Sequence, residues 1–180
     1  MNRITGVFAL TCIFAFSVFS DFYSFNLPRL EGGTKSVSDF QGRKVMVTIL
    51  PVTRTNSTDS LLSVIDSLGT VNSSTLGIIA VPSFEHGFEM EQRDSLLAWY
   101  RNKLSDSIVI TDGLYTMMSS GTQQSPLFEW LTHKDQNGHF EAEISGIGQK
   151  YFINETGELY AVLGPEVKYG GATVRKMLEQ

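Results

Sequence analysis

Two apolar runs and the helical segment between them constrain the fold of this chain most. The runs VMVTIL at 45–50 and TLGIIAV at 75–81 are apolar on both alternating faces, which is typical of strands buried inside a parallel sheet. Between the two runs, apolar residues recur at helical spacing and a glycine follows: Leu61, Leu62, Ile65, Leu68 and Gly69. We therefore predict a strand, a crossover helix that ends at the glycine, and a second parallel strand, and hence an α/β fold.

The remaining segments extend this pattern in both directions. Alternation over 22–27 and a following Gly-Gly turn predict an N-terminal β-hairpin, and helical spacing over 89–104 predicts a second helix. The other predicted elements are a third parallel strand at 107–111, a helix that starts at Ser125 and Pro126, a hairpin around the turn at 154–157, and a last helix at 172–180. This order predicts a mixed central sheet with helices on both faces.

The first twenty residues differ from the rest of the chain. Arg3 is the only charged residue among them, an apolar stretch runs from Ile4 to Phe19, and the small Ser20 precedes Asp21. This pattern predicts a signal peptide over 1–20 and one domain over 21–180, in a periplasmic or secreted protein. The alternative is an uncleaved N-terminal anchor that attaches the protein to a membrane, although a span usually needs about 20 apolar residues.

Charge and cysteine content exclude several classes of function. The net charge is −5 and the chain has no basic cluster, so we expect no nucleic-acid partner. The only cysteine, Cys12, lies within the predicted signal peptide. The mature chain would then have no thiol for a disulfide, a thiolate metal site or a redox couple. We expect neither a cofactor nor a metal.

Four segments together resemble the thioredoxin superfamily, in particular its glutathione peroxidase-like and redoxin-like branch. They are FNLPRLEGGTKSVSDFQGRKVMVTILPV near the N terminus, LGIIAVPSFEHGF after the first helix, SPLFEWL in an inserted helix and QKYFINETGELY in the final hairpin. The resemblance covers nearly all of residues 22–178. It implies a thioredoxin fold with an N-terminal β-hairpin, a mixed central sheet and helices on both faces.

The same resemblance implies where a catalytic site would lie. In such proteins, the loop after the first long strand carries a reactive cysteine or selenocysteine, or a pair of cysteines, at the start of a helix. Here Thr55 and Thr58 occupy those positions. The positions of the family's glutamine, tryptophan, asparagine and cis-proline hold Glu85, Gly146, Ile147 and Gly148. A threonine hydroxyl does not ionise near neutral pH as a thiol does, and it has no sulfur that can be oxidised and reduced again. We therefore expect the fold without the family's redox chemistry.

These observations favour a non-catalytic binding or assembly module with an unidentified protein or peptide partner. Backbone amides at a helix N terminus can bind an anion, and a sheet edge can accept an extended peptide. The candidate binding residues are Thr55, Asn56, Ser57, Thr58, Glu85 and His86.

Two enzymatic alternatives remain open at this point. One is a peroxidase or thiol oxidoreductase that works with the thiol of a partner, and the other is a metal-dependent site at Glu85 and His86. We disfavour a hydrolase that uses Thr55 or Ser57 as nucleophile and His86 as base, because the chain lacks a nucleophile-elbow motif.

Overall fold

The fold is built from seven strands and five helices within the part of the chain that the computed structural model describes, residues 21–179. The predicted signal peptide therefore lies outside the described residues. The strands are β1 Asn26–Pro28, β2 Thr34–Ser36, β3 Lys44–Leu50, β4 Leu76–Pro82, β5 Ile108–Ile110, β6 Lys150–Ile153 and β7 Leu159–Leu163. The helices are α1 Asn56–Val71, α2 Arg93–Arg101, α3 Pro126–Thr132, α4 Lys134–Asn137 and α5 Ala172–Glu179.

Five of the strands form one mixed sheet in the order β5-β4-β3-β6-β7. β3 and β5 both run parallel to β4, whereas β6 is antiparallel to β3 and to β7. Every residue of β3 and β4 is buried, which explains why these two sequences lack polar alternation. The predicted N-terminal hairpin is confirmed as the antiparallel pair β1–β2.

The two faces of the sheet carry separate apolar cores. Residues of β3 alternate between them: Val45, Val47 and Ile49 pack in the core that contains α3, whereas Met46 and Leu50 pack in the core that contains α1, α2 and α5. Helices therefore cover both faces, as the sequence predicts. No helix among residues 21–179 combines the length and the apolar content that crossing a bilayer requires.

Gly69 does not end the first helix, and this prediction is wrong. α1 continues to Val71, and Gly69 is buried inside it. A Cβ atom built on Gly69 would lie 3.0 Å from Cδ1 of Ile78 and 3.4 Å from Cδ1 of Ile108. The glycine is needed because the helix packs closely against β4 and β5, and local sequence does not reveal that contact.

Other boundaries also shift where short 3₁₀ turns replace regular elements. Residues 22–24 form a 3₁₀ turn rather than the start of β1, because Asp21 accepts a hydrogen bond from the Tyr23 amide. A second turn at 90–92 delays α2 until Arg93, and α2 ends at Arg101 instead of Leu104. α4 and the 3₁₀ segment at 118–123 are not predicted from the sequence, because neither has apolar periodicity.

Candidate functional site

The loop after β3 presents hydroxyl groups at the N terminus of α1. Thr55 caps this helix: its Oγ1 accepts a hydrogen bond from the Thr58 amide at 3.2 Å, and Thr58 Oγ1 accepts one from the Thr55 amide at 2.8 Å. Such a reciprocal pair satisfies two amides that a helix start otherwise leaves without partners. The two positions that the family resemblance assigns to thiols therefore stabilise the helix start.

The hydroxyls of this loop are not arranged as nucleophiles. Thr58 Oγ1 also donates to the carbonyl of Thr53 at 2.9 Å, and Thr55 Oγ1 lies 2.9 Å from Ser57 Oγ. Within residues 21–179, none of the hydrogen bonds of these two threonines involves an imidazole or a carboxylate. A hydroxyl nucleophile needs such a base, and the geometry therefore does not support acyl transfer. Asn56 and Ser57 are exposed at the first turn of the helix.

Glu85 fixes a neighbouring loop. Its carboxylate accepts hydrogen bonds from Ser83 Oγ at 2.8 Å, from the amides of Thr116 and Met117 at 3.0 and 3.1 Å, and from Ser120 Oγ. Burial would raise the pKa of Glu85, but the bonds from Ser120, Ser83 and the Thr116 amide outweigh burial and hold this pKa at about 2. The carboxylate is therefore ionised, and its oxygens are occupied by the segment that follows β5.

His86 is joined to the same network through Ser83. Nδ1 of His86 lies 3.0 Å from Ser83 Oγ, which itself donates to Glu85. Ser83 is fully buried, and the carboxylate bonds to the serine instead of orienting the imidazole. These three residues therefore do not form a catalytic triad. No group of three or more His, Cys, Asp or Glu within the described residues could hold a metal ion.

In the loop before β6, three further positions that the resemblance assigns to the family's site hold residues with structural roles. Gly146 and Gly148 both have positive φ angles, and the amide of Gly148 donates to the carbonyl of Ile49 at 2.9 Å. Proline cannot adopt the φ of 85° that Gly148 has, and no cis peptide bond occurs within the described residues. Ile147 packs partly buried against the core that contains α3.

A groove runs along the outer side of α1. Its wider part, about 620 Å³, lies between Ser57 at the start of α1 and the segment 165–171 that joins β7 to α5. A narrower part of about 330 Å³ continues between α1 and α5 to Val71. Both parts are lined by Val64 and Gly170, so they form one continuous surface, which we call the α1–α5 groove.

Ser57 is the only one of the six predicted binding residues that lines this groove. Sequence reasoning missed the rest of its lining. A signal was present, because Val64 and Val71 are apolar although they lie off the stripe that α1 turns toward the core.

A buried lysine braces the segment that forms one wall of the groove. The side chain of Lys150 is fully buried, and its Nζ donates to the carbonyls of Gly148 at 2.5 Å and Gly164 at 3.3 Å. The same Nζ lies 4.2 Å from the ring centroid of Tyr169, whose hydroxyl is 2.5 Å from Thr48 Oγ1. Tyr169 lines the groove, so this cluster connects β3 and β6 to the groove wall.

Burial changes the ionisation of this cluster. Loss of water around the ammonium group lowers the pKa of Lys150 to about 8, although the Glu166 carboxylate acts in the opposite direction. Burial also raises the pKa of Tyr169. Nothing in the local sequence distinguishes Lys150 from a surface lysine, and only the tertiary structure identifies it.

Solved structures with the same fold come from several redox proteins. The crystal structure of Trgpx in apo form is 15% identical, with a TM-score of 0.63 over 89% of this chain and 97% of that chain. T. cruzi GPX1 is 12% identical, with a TM-score of 0.62 over 89% and 95%. The pneumococcal exposed lipoprotein thioredoxin Etrx1, from Streptococcus pneumoniae, is 17% identical, with a TM-score of 0.55 over 87% and 98%.

The chain therefore has a thioredoxin fold, which confirms the fold predicted from the sequence. No protein-family model matches the sequence, and no curated protein is significantly similar to it. At identities of 17% or less these likenesses concern the fold, and the function has to be argued from the chain's own residues.

Proposed function

We propose that this protein is an exported, non-catalytic binding or assembly module, and that a protein or peptide partner binds at the α1–α5 groove. The observation that carries this proposal is the state of Thr55 and Thr58. They stand where the resembled family has its thiols, and their hydroxyls are used in the capping box of α1. The only cysteine of the chain is Cys12, within the predicted signal peptide.

The groove has the character of a ligand site. It is concave, its lining is largely apolar, and hydroxyl groups of Ser57 and Ser60 lie at one end. Pockets of this size, lined mostly by apolar side chains with a few polar groups, are the usual binding sites of proteins. Export is supported by the composition of residues 1–20, and a protein of similar fold is described as an exposed lipoprotein.

The proposal is tested with the exported form of the protein. We expect no hydroperoxide consumption and no disulfide exchange when glutathione or thioredoxin is supplied as reductant, because no thiolate can start either reaction. The matched variant is Thr58→Cys, which places a thiol at the helix start, where the dipole favours the thiolate. This variant should react with hydrogen peroxide at least once per molecule, which shows that the assay detects the chemistry.

Turnover by the unaltered protein would overturn the proposal. Turnover that appears only with a thiol-bearing partner from the same cell would instead support an oxidoreductase that uses that partner's thiol. The metal-dependent alternative receives no support from the geometry. The oxygens of Glu85 accept hydrogen bonds from four residues, and Nδ1 of His86 lies against Ser83.

A further inference from the structure

Exposed apolar side chains concentrate on the α1–α5 groove. Among the described residues, three large apolar side chains are exposed: Val64 at 41%, Val71 at 79% and Met90 at 54%. Val64 and Val71 both line the groove, whereas Met90 lies in the turn before α2. Single exposed apolar residues are normal, but these two lie on one apolar groove and add to the apolar area that a partner can cover.

The spacing of the apolar residues on α1 matches a helical partner. Leu61, Val64, Leu68 and Val71 line the groove in steps of three, four and three residues, as at the a and d positions of a heptad repeat. Contacts of this kind recur about every 5.3 Å along a helix axis, and a second helix has the same interval. An extended peptide presents side chains to one face about every 6.6 Å, so it loses register within the length of this stripe.

The opposite wall provides a hole for a partner side chain. A Cβ atom built on Gly170 would point at Val64, 4.0 Å from its Cγ1, so the missing side chain leaves a space beside Val64. Ser60 and Ser67, which have small side chains, also line the groove beside these apolar residues. These features permit the close approach that knobs-into-holes packing of two helices needs.

Charge on the groove favours one kind of partner. Lys168 is the only charged residue that lines the wider part, and Arg175 and Glu179 line the narrower part. Neither Lys168 nor Arg175 takes part in an ion pair within residues 21–179. On a chain with a net charge of −5, two cations that lack such partners complement acidic side chains on a ligand.

We propose that the α1–α5 groove binds an amphipathic helix of another protein, with an apolar stripe at heptad spacing and acidic residues along one flank. The inference rests on the proposed binding function and specifies the partner at the same site. The apolar stripe of the helix packs against Leu61, Val64, Leu68 and Val71, one of its side chains enters the space beside Gly170, and its acidic flank faces Lys168 and Arg175.

The probe is a synthetic 18-residue helix with leucine at the a and d positions and glutamate along one flank. Its binding to the exported protein is measured by fluorescence anisotropy, at concentrations where the peptide is monomeric. A second peptide carries lysine in place of each glutamate, and a third has a proline at its centre that breaks the helix. We expect the first peptide to bind about tenfold more tightly than either of the others, a difference of about 1.4 kcal/mol.

Substitutions in the groove provide the second arm of the experiment. Val71→Asp places a charge on the stripe at an exposed position, and Gly170→Leu fills the space beside Val64. Gly170 does not have a positive φ, so its backbone accepts the new side chain. Each variant should weaken binding about tenfold or more. Met90→Asp is the matched control, because it changes an exposed apolar residue outside the groove, and it should leave binding unchanged.

Three results would overturn the inference: no binding of the glutamate peptide, equal binding of the glutamate and lysine peptides, or full binding by both groove variants when circular dichroism shows that they are folded. Equal binding of the proline peptide would identify an extended ligand instead of a helix. None of these results depends on the redox assays. The helix inference can therefore fail while the non-catalytic function stands.

Discussion

At the scale of single residues, several positions that are catalytic in the resembled family have structural roles in this protein. Thr55 and Thr58 cap a helix, Glu85 holds the segment after β5, and Gly148 allows a backbone conformation that proline cannot adopt. Each of these roles uses hydrogen bonding or backbone freedom and needs no reactive atom. The side-chain oxygens of Thr55, Thr58 and Glu85 therefore have hydrogen-bond partners within the protein.

Replacement of Glu85 by glutamine tests its structural role. Glu85→Gln should lower the free energy of unfolding at pH 7 by about 2 kcal/mol, because a neutral amide accepts the same donors less strongly and brings its own N–H groups into a site of donors. The exposed Glu91→Gln variant is the control and should change stability by less than about 0.5 kcal/mol. Urea denaturation of both variants measures the difference.

The lowered pKa of Glu85 predicts that the stability of the protein depends on pH. The pKa of Glu85 is about 2 in the folded protein and 4.5 in the reference state, so the carboxylate contributes stability above pH 4.5 and loses this contribution as the pH falls toward 2. The difference in stability between the unaltered protein and Glu85→Gln should therefore shrink between pH 4.5 and pH 2. A difference that stays constant over this range would contradict the assigned pKa.

At the scale of elements, α1 packs against the core with one face and lines the groove with another. Leu62 and Ile65 face the core, whereas Val64 and Val71 face the groove. The helix begins after the loop that contains Thr55, and Gly69 lets it pack closely on the sheet. Its position is thus determined by the core, and this leaves its outer apolar residues free to form one wall of a binding surface.

Loss of the Thr55 cap should weaken α1. Thr55→Ala removes the acceptor for the Thr58 amide, and we expect the free energy of unfolding to fall by about 1 kcal/mol. Thr70→Ala, at an exposed position near the end of the same helix, is the control and should have little effect. Thermal denaturation followed by circular dichroism measures both. Equal stability of the two variants would show that the capping box does not contribute.

The buried lysine that connects β6 to the groove wall predicts a second rise of stability with pH, in a higher pH range than that of Glu85. The pKa of Lys150 falls from 10.5 to about 8 on folding, so between these values the unfolded chain binds the proton more strongly than the folded protein. Stability contributed by this site should therefore rise with pH from 8 toward 10.5. Urea denaturation at pH 7.5 and 9.5 should show this rise in the unaltered protein but not in Lys150→Met. The exposed Lys176→Met variant should retain it.

At the scale of the whole molecule, one thioredoxin fold separates its core from its candidate binding surface. Two apolar cores lie on opposite faces of the sheet, and the groove lies on the outer side of one face, between α1 and α5. A change at an exposed groove residue such as Val71 therefore leaves the core contacts intact, so this surface can differ among proteins that share the fold.

The proposed export predicts the N terminus and the cysteine content of the mature protein. If residues 1–20 are a signal peptide, the protein recovered from the envelope or the medium begins at Asp21 and contains no cysteine. Intact-mass measurement should show the loss of these twenty residues and no reaction with a maleimide. A protein that retains Cys12 and sediments with membranes would show the uncleaved anchor instead.

The order of the seven strands and of four of the five helices, the mixed sheet and the absence of a thiol from residues 21–180 are predictable from the sequence. They are predictable because apolar periodicity and cysteine content are local properties of a chain. Which catalytic groups of the resembled family are replaced here is implied by the resemblance and does not follow from periodicity or composition. Loop positions alone predict the candidate binding residues at 55–58 and 85–86, and the groove includes only Ser57 among them.

The contacts of the polar residues and the position of the groove follow from the tertiary structure and not from local sequence. Three of the four residues that donate to Glu85 lie more than thirty positions away from it, and Lys150 is buried by a loop that follows the next strand. Val64 and Val71 become a surface only because α5 and Gly170 lie opposite them. Contacts between distant segments depend on how elements pack, and a pattern along one segment does not specify that packing.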